Sequence, residues 1–138
     1  MNELGVFIDT SGFVAVRNED DVNFNNAKRV MNSLLRSEYG AIYTSDYVFD
    51  EATTLALVRT QNKRLSIDIG NYILKSKKIR LIFTTIDDFN MAWKLFLKYK
   101  DRQLSFTDCT ILSIMTRLNI NYIFSYDSHF DGLKTRLF

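Results

Sequence analysis

The stretch GVFIDTS, residues 5–11, decides how the chain is read. Val6, Phe7 and Ile8 form an apolar run with strong strand character, and the run stops at Asp9, followed by two hydroxyl residues. Aspartate is a poor strand former and is costly to bury without partners. Asp9 is therefore either the turn that closes a first strand or the first piece of a site. The rest of the chain decides between the two.

Working outward, apolar runs and helical patterns alternate. Residues 4–9 read as a buried strand. From Phe24 to Ser37, the positions Ala27, Val30, Met31, Leu34 and Leu35 fall at helical spacing behind the turn residues Asp20, Asp21 and Asn23. A strand over Ala41–Thr44 follows Gly40. Helices are expected from Ser45 or Asp46 to Arg59 and over Arg64–Lys75, then a strand at 79–84. An amphipathic helix from Thr85 to Lys100 carries Phe89, Ala92, Trp93, Phe96 and Leu97. A helix from Phe106 to Leu118 and a last strand at 121–125 complete the pattern. Strands separated by helices imply an α/β fold with a parallel sheet and helices on both faces. Ligands of such sheets bind beyond the carboxyl ends of the strands, where Asp9 stands.

Composition narrows the chemistry. At 138 residues the chain is expected to form a single domain, 1–138, large enough to bury a core. No apolar run approaches the roughly 18 residues of a transmembrane helix, and the first residues lack a signal-peptide pattern, so the expected setting is cytoplasmic, with no membrane partner. With one cysteine and one histidine, a zinc site of nitrogen and sulfur ligands is nearly excluded. A metal would have to be held by oxygens, which points to Mg²⁺ or Mn²⁺. A net charge of +2 is too balanced to announce nucleic-acid binding by itself.

Four acids fall where the pattern favours apolar or end-of-strand positions. Besides Asp9, Asp127 follows the last expected strand in FSYDSHF. In TSDYVFDEATTLALVR, Val48, Ala52, Leu55 and Arg59 lie within about 40° of one line on a helix. Glu51 lies about 60° from that line on the core side, and Asp50 about 160° away, toward solvent. Asp108 occupies the first turn of its helix, capped by Ser105 or Thr107, amid Phe106, Cys109 and Ile111. Each acid alone has a plain structural reading: a turn, a boundary residue, a partner for the helix dipole. Gathered at one spot, they would repel, and a divalent cation removes that conflict.

VFIDTSGFVAV, TSDYVFDEATTLAL, LSFTDCTILSIM and IFSYDSHFDGL, in that order, resemble the PIN-domain family, most closely its VapC-type toxin ribonucleases, over nearly the whole chain. The resemblance implies a PIN-like three-layer fold, a central parallel sheet flanked by helices, with the acids at its carboxyl edge. It implies Mg²⁺- or Mn²⁺-dependent hydrolysis of RNA, a homodimer, and silencing by a cognate antitoxin protein. It maps the family's acids onto Asp9, Glu51, Asp108 and Asp127, with Asp9, Asp108 and Asp127 as metal ligands. Glu51 would bind the metal through water or help deprotonate the attacking water, and the products would carry 3′-hydroxyl and 5′-phosphate ends. Thr10, Ser11 and Thr107 are the hydroxyls expected to support the carboxylates. The alternative is a catalytically silent PIN scaffold that binds RNA or a protein.

Among other residues, Arg17 is expected at the mouth of the site as an RNA contact. His129 reads as a partly exposed loop residue packed near Phe130 rather than a general base. Asp131 reads as a turn before Gly132, and Cys109 as a small buried hydrophobe. The apolar content of the helices over 24–58 offers a dimer or antitoxin surface.

Overall fold

A computed structural model describes residues 5–138. Its first strand, β1 (Gly5–Ile8), is wholly buried. The expected start of that strand at residue 4 lies outside the described residues. In chain order there follow α1 (Thr10–Arg17), α2 (Phe24–Leu35), β2 (Ala41–Ser45), α3 (Asp46–Thr60), α4 (Lys63–Lys75), β3 (Ile79–Ile82), α5 (Ile86–Lys98), α6 (Phe106–Arg117), β4 (Tyr122–Phe124), a 3₁₀ turn (Ser128–Phe130) and β5 (Thr135–Leu137).

All strand pairs are parallel, in the order β3-β2-β1-β4-β5. Phe7 of β1 lies between Tyr43 of β2 and Ile123 of β4. The chain builds outward from β1 through β2 to β3, then returns across the sheet to place β4 on the other side of β1. Right-handed crossovers put α1–α4 on one face of the sheet and α5–α6 on the other, and the two groups pack accordingly, α3 against α4 and α5 against α6. The carboxyl ends of β1 and β4 thus meet at the point where strand order reverses, the crevice such sheets use for ligands. Asp9 N–H donates to Phe124 O across it at 3.0 Å.

Two elements were not assigned from the sequence. FVAVR carries β-branched valines that favour extended backbone, yet it forms the back of α1. Asp9 caps that helix, and burial of Phe13, Ala15 and Val16 outweighs local preference. The three-residue β5, sequence TRL, is too short to announce itself and is added by pairing with β4. The helix expected over Thr85–Lys100 forms as α5, but its apolar stripe stays outside the core. Ala92 is buried, whereas Phe89, Trp93, Phe96 and Leu97 are exposed.

The core is centred on Phe7, Ile8, Phe13, Ile111, Ile114, Phe124 and Phe130, all fully buried. Helix α6 is buried continuously from Asp108 to Met115, as a helix enclosed by its neighbours must be. Gly12 is where α1 meets the sheet: a Cβ there would stand 3.1 Å from the Phe124 ring and 3.2 Å from Ile8. A Gly12→Val substitution is expected to cost about 1–3 kcal/mol through overpacking, read as a lower urea midpoint at unchanged m-value.

Candidate active site

Four separate elements deliver the four acids to one cleft of about 310 Å³, which Asp9, Glu51, Asp108 and Asp127 all line. Asp9 is the residue between β1 and α1. Its Oδ1 accepts the Thr10 N–H at 2.7 Å, and its Oδ2 accepts the Ser125 hydroxyl at 2.8 Å. Glu51, half-buried, comes from the second turn of α3, which starts abruptly because Ser45 accepts the Val48 N–H. Asp108 is fixed by a capping box: its amide donates to Ser105 Oγ at 3.0 Å, and its Oδ2 accepts the Ser105 N–H at 2.9 Å. Asp127 caps the 3₁₀ turn, accepting the His129 N–H at 2.8 Å.

Asp9 and Asp108 are only 3% and 5% exposed. Burial, then the charge of Asp108, pushes the Asp9 carboxyl up to about 7. Burial also pushes Asp108 up to about 6, helped by the charges of Asp127 and Glu51 and opposed by its hydrogen bonds to Ser105. These are the consequences of gathering like charges in a dry cleft. A divalent cation would relieve them. The donor set fits one: single donor atoms of Asp108, Asp127 and His129 lie within 4.8 Å of one another, and Asp9 lines the same cleft.

The supporting hydroxyls differ in part from the expectation. Ser11 Oγ accepts the Tyr126 N–H at 2.9 Å and so ties α1 to the loop after β4. Thr10 Oγ1 is buried beside Asp9 with no hydrogen-bond partner. Thr107 does not line the cleft, and its carbonyl serves Thr110 instead. Ser105 performs the role expected of it, because the capping box selects the residue three before Asp108. The sequence reading missed Ser125, fully buried, which donates to Asp9 and accepts the Asp127 N–H at 3.0 Å. Its signal was its position at the end of β4, next to β1.

Arg17 is not at the mouth. It makes a two-pronged ion pair with Asp68, both contacts at 2.9 Å, and lies over the Tyr72 ring, locking α1 to α4. The arginine that lines the cleft is Arg59, in the last turn of α3. On the helical line it follows Val48, Ala52 and Leu55, and its place at the cleft comes from the packing of α3 rather than from that pattern. His129 does more than pack near Phe130: its Nδ1 stands 2.8 Å from Asp127 Oδ1 and 4.0 Å from Asp108 Oδ2. Asp131 stays out of the cluster, bound by Arg136 at 2.8 and 3.2 Å. Arg102 donates to the carbonyls of Asp131 and His129 at 2.9 and 3.3 Å, so the loop that carries Asp127 is held from two sides.

A PIN-domain family model matches residues 6–135, and the chain belongs to that family. It is 30% identical over 127 residues to the 23S rRNA-specific endonuclease VapC20 of Mycobacterium tuberculosis, an alignment covering 92% of each chain. The crystal structure of M. tuberculosis VapC20, described as a sarcin-ricin loop cleaving toxin, superposes with a TM-score of 0.81 at 28% identity, covering 92% of this chain and 93% of that one. VapBC2 from Rickettsia felis, bound to a DNA fragment from their promoter, has the same fold, with a TM-score of 0.68 at 14% identity over 97% of this chain and 98% of that one.

The raised Asp9 carboxyl makes a pH prediction for the metal-free protein. The folded state holds a proton that the unfolded chain releases near 3.8. That contribution to stability is complete below about pH 4 and is lost as pH rises toward 7, by an amount on the order of a few kcal/mol. In EDTA, the melting temperature is expected to fall from pH 5 to pH 8, and Asp9→Asn is expected to flatten that fall. The check is a thermal melt series on both proteins.

Proposed function

We propose that the chain is an endoribonuclease that hydrolyses phosphodiester bonds in RNA, the toxin of a toxin–antitoxin pair, and that it works with Mg²⁺ or Mn²⁺. The observation that carries this reading is the convergence of Asp9, Glu51, Asp108 and Asp127 on one cleft at the sheet's carboxyl edge. The likeness to an rRNA-specific endonuclease over 92% of both chains supports the substrate class. An RNA target of that kind favours a cytoplasmic setting, which we propose. We read residues 1–138 as a single domain.

Asp9, Asp108 and Asp127 would hold the cation, which would polarise a water and offset charge developing on the phosphate. Ser125 holds Asp9 and the backbone of Asp127 at once, so it sets their spacing. Glu51 lines the same cleft, and its role would be to take the proton of the attacking water. Arg59, at the same cleft, is placed to grip a phosphate of the RNA strand.

The comparisons with toxin–antitoxin structures support a protein antitoxin as partner. The large exposed apolar residues of the helices bear on where partners sit. Most lie on α5 (Ile86, Phe89, Met91, Trp93, Phe96 and Leu97), with Trp93 half exposed at 51%; Ile67 and Leu74 lie on α4, and Val58 alone represents the apolar residues of α2 and α3. The α5 face is thus the better surface for the homodimer or antitoxin contact than the helices over 24–58.

Purified protein is expected to cut rRNA with Mn²⁺ or Mg²⁺ and to stop in EDTA. Asp108→Asn is expected to slow cleavage by about 100-fold or more, at or beyond the upper end of what losing a ligand's supporting partner costs. A folded wild-type protein that binds RNA but cuts none, with either ion, would instead favour the silent scaffold. Arg59→Ala is expected to raise KM about fivefold to tenfold with little change in kcat, and to reduce the salt dependence of RNA binding, measured by steady-state kinetics and a salt titration.

A further inference from the structure

His129 enters the cleft from the 3₁₀ turn after β4, and the acid chemistry above makes no use of it. Its Nδ1 is shielded from solvent yet has no partner with hydrogen-bond geometry. The nearer of two carboxylate oxygens beside it, Asp127 Oδ1 at 2.8 Å, already accepts the His129 backbone N–H. A simple histidine–carboxylate pair at that distance would be expected to align its N–H with the oxygen. This one does not.

The spacing matches a different role. Ligands about 2.1 Å from an octahedral ion stand about 3.0 Å apart when adjacent and about 4.2 Å apart when opposite. Nδ1 lies 2.8 Å from Asp127 Oδ1 and 4.0 Å from Asp108 Oδ2, and one donor atom from each residue falls within a 4.8 Å group. The backbone carrying the imidazole is itself held: Arg102 grips the carbonyls of His129 and Asp131, while Arg136 grips the Asp131 side chain. A ring carried on a held backbone, with a shielded nitrogen that makes no hydrogen bond, is poised as a donor.

We propose that His129 Nδ1 is a direct ligand of the cation held by Asp108 and Asp127, so that the centre is a mixed nitrogen–oxygen site selecting Mn²⁺ over Mg²⁺. The proposal rests on the metal-dependent reading of the cleft and sharpens it. Imidazole favours first-row transition metals, whereas carboxylate and water suit Mg²⁺. The oxygen-only site expected from the scarcity of histidine and cysteine then becomes one in which the single histidine has been brought to the acids.

The single histidine also makes the test clean, because a protein without an affinity tag has no other imidazole. Mn²⁺ is bound to the metal-free protein in imidazole-free buffer, and pulsed EPR reads nitrogen coupling to the ion. Wild type is expected to show an imidazole ¹⁴N coupling that His129→Gln lacks. By calorimetry, His129→Gln is expected to lose about tenfold or more in Mn²⁺ affinity while Mg²⁺ affinity changes by less than about threefold. A melt in EDTA confirms that the variant is folded. Bound Mn²⁺ with no nitrogen coupling, or an unchanged ratio of Mn²⁺ to Mg²⁺ affinity in the variant, overturns this inference and leaves the metal reading standing. A wild-type protein that takes up neither ion overturns both.

Discussion

Mutual repulsion among carboxylates in a poorly solvated cleft is the constraint on which the rest of this structure depends. Asp9 and Asp108 are nearly removed from water, and burial together with neighbouring negative charge raises both carboxyls far above their ordinary range. Such an arrangement costs stability unless something compensates. The hydrogen bonds from Thr10, Ser125 and Ser105 compensate in part. They fix where each carboxylate points but do not bring either carboxyl back to its ordinary range. The fold therefore maintains a strained, preorganised set of oxygens, a condition suited to a cation.

The sheet topology makes that gathering possible. With β1 central and β4 returning beside it, residues separated by more than a hundred positions become neighbours: Asp9 bonds Ser125, and Ser11 bonds the amide of Tyr126. Helices α3 and α6 close the cleft, each bringing one acid from its first or second turn, and each is started by a serine cap that sets the phase of that acid. Gly12 lets α1 lie close enough to Phe124 for Asp9 to serve as both strand end and helix cap. Fold and site are thus one construction, and distortion at Gly12 would be felt at Asp9.

Much of this was legible in the sequence because the relevant signals are local. The apolar runs at β1 and β2 and the helical spacing of α2, α3 and α6 depend on short-range patterns. The four acids stood out because each broke such a pattern or ended it. What was missed depends on contacts distant in sequence. Helix α1 overrides the strand-like FVAV because Phe13 and Val16 are buried by other elements. Strand β5 exists only through its pairing with β4. Ser125 and His129 gained meaning only when the sheet placed them beside residues far away in the chain. Arg17 was misplaced for the same reason, since its partner Asp68 lies on α4. The stripe on α5 had the right period, but periodicity does not say whether an apolar face meets the protein's own core or remains uncovered.

The central claim, that a divalent cation resolves the repulsion built into the cleft, is tested most directly by thermal unfolding at pH 8 in EDTA and in Mn²⁺, for wild type and Asp9→Asn. The account predicts that Mn²⁺ raises the wild-type melting temperature substantially. It also predicts that Asp9→Asn melts higher than wild type in EDTA and gains little from the ion. A wild-type melting temperature indifferent to Mn²⁺, with Asp9→Asn no more stable than wild type in EDTA, would contradict it.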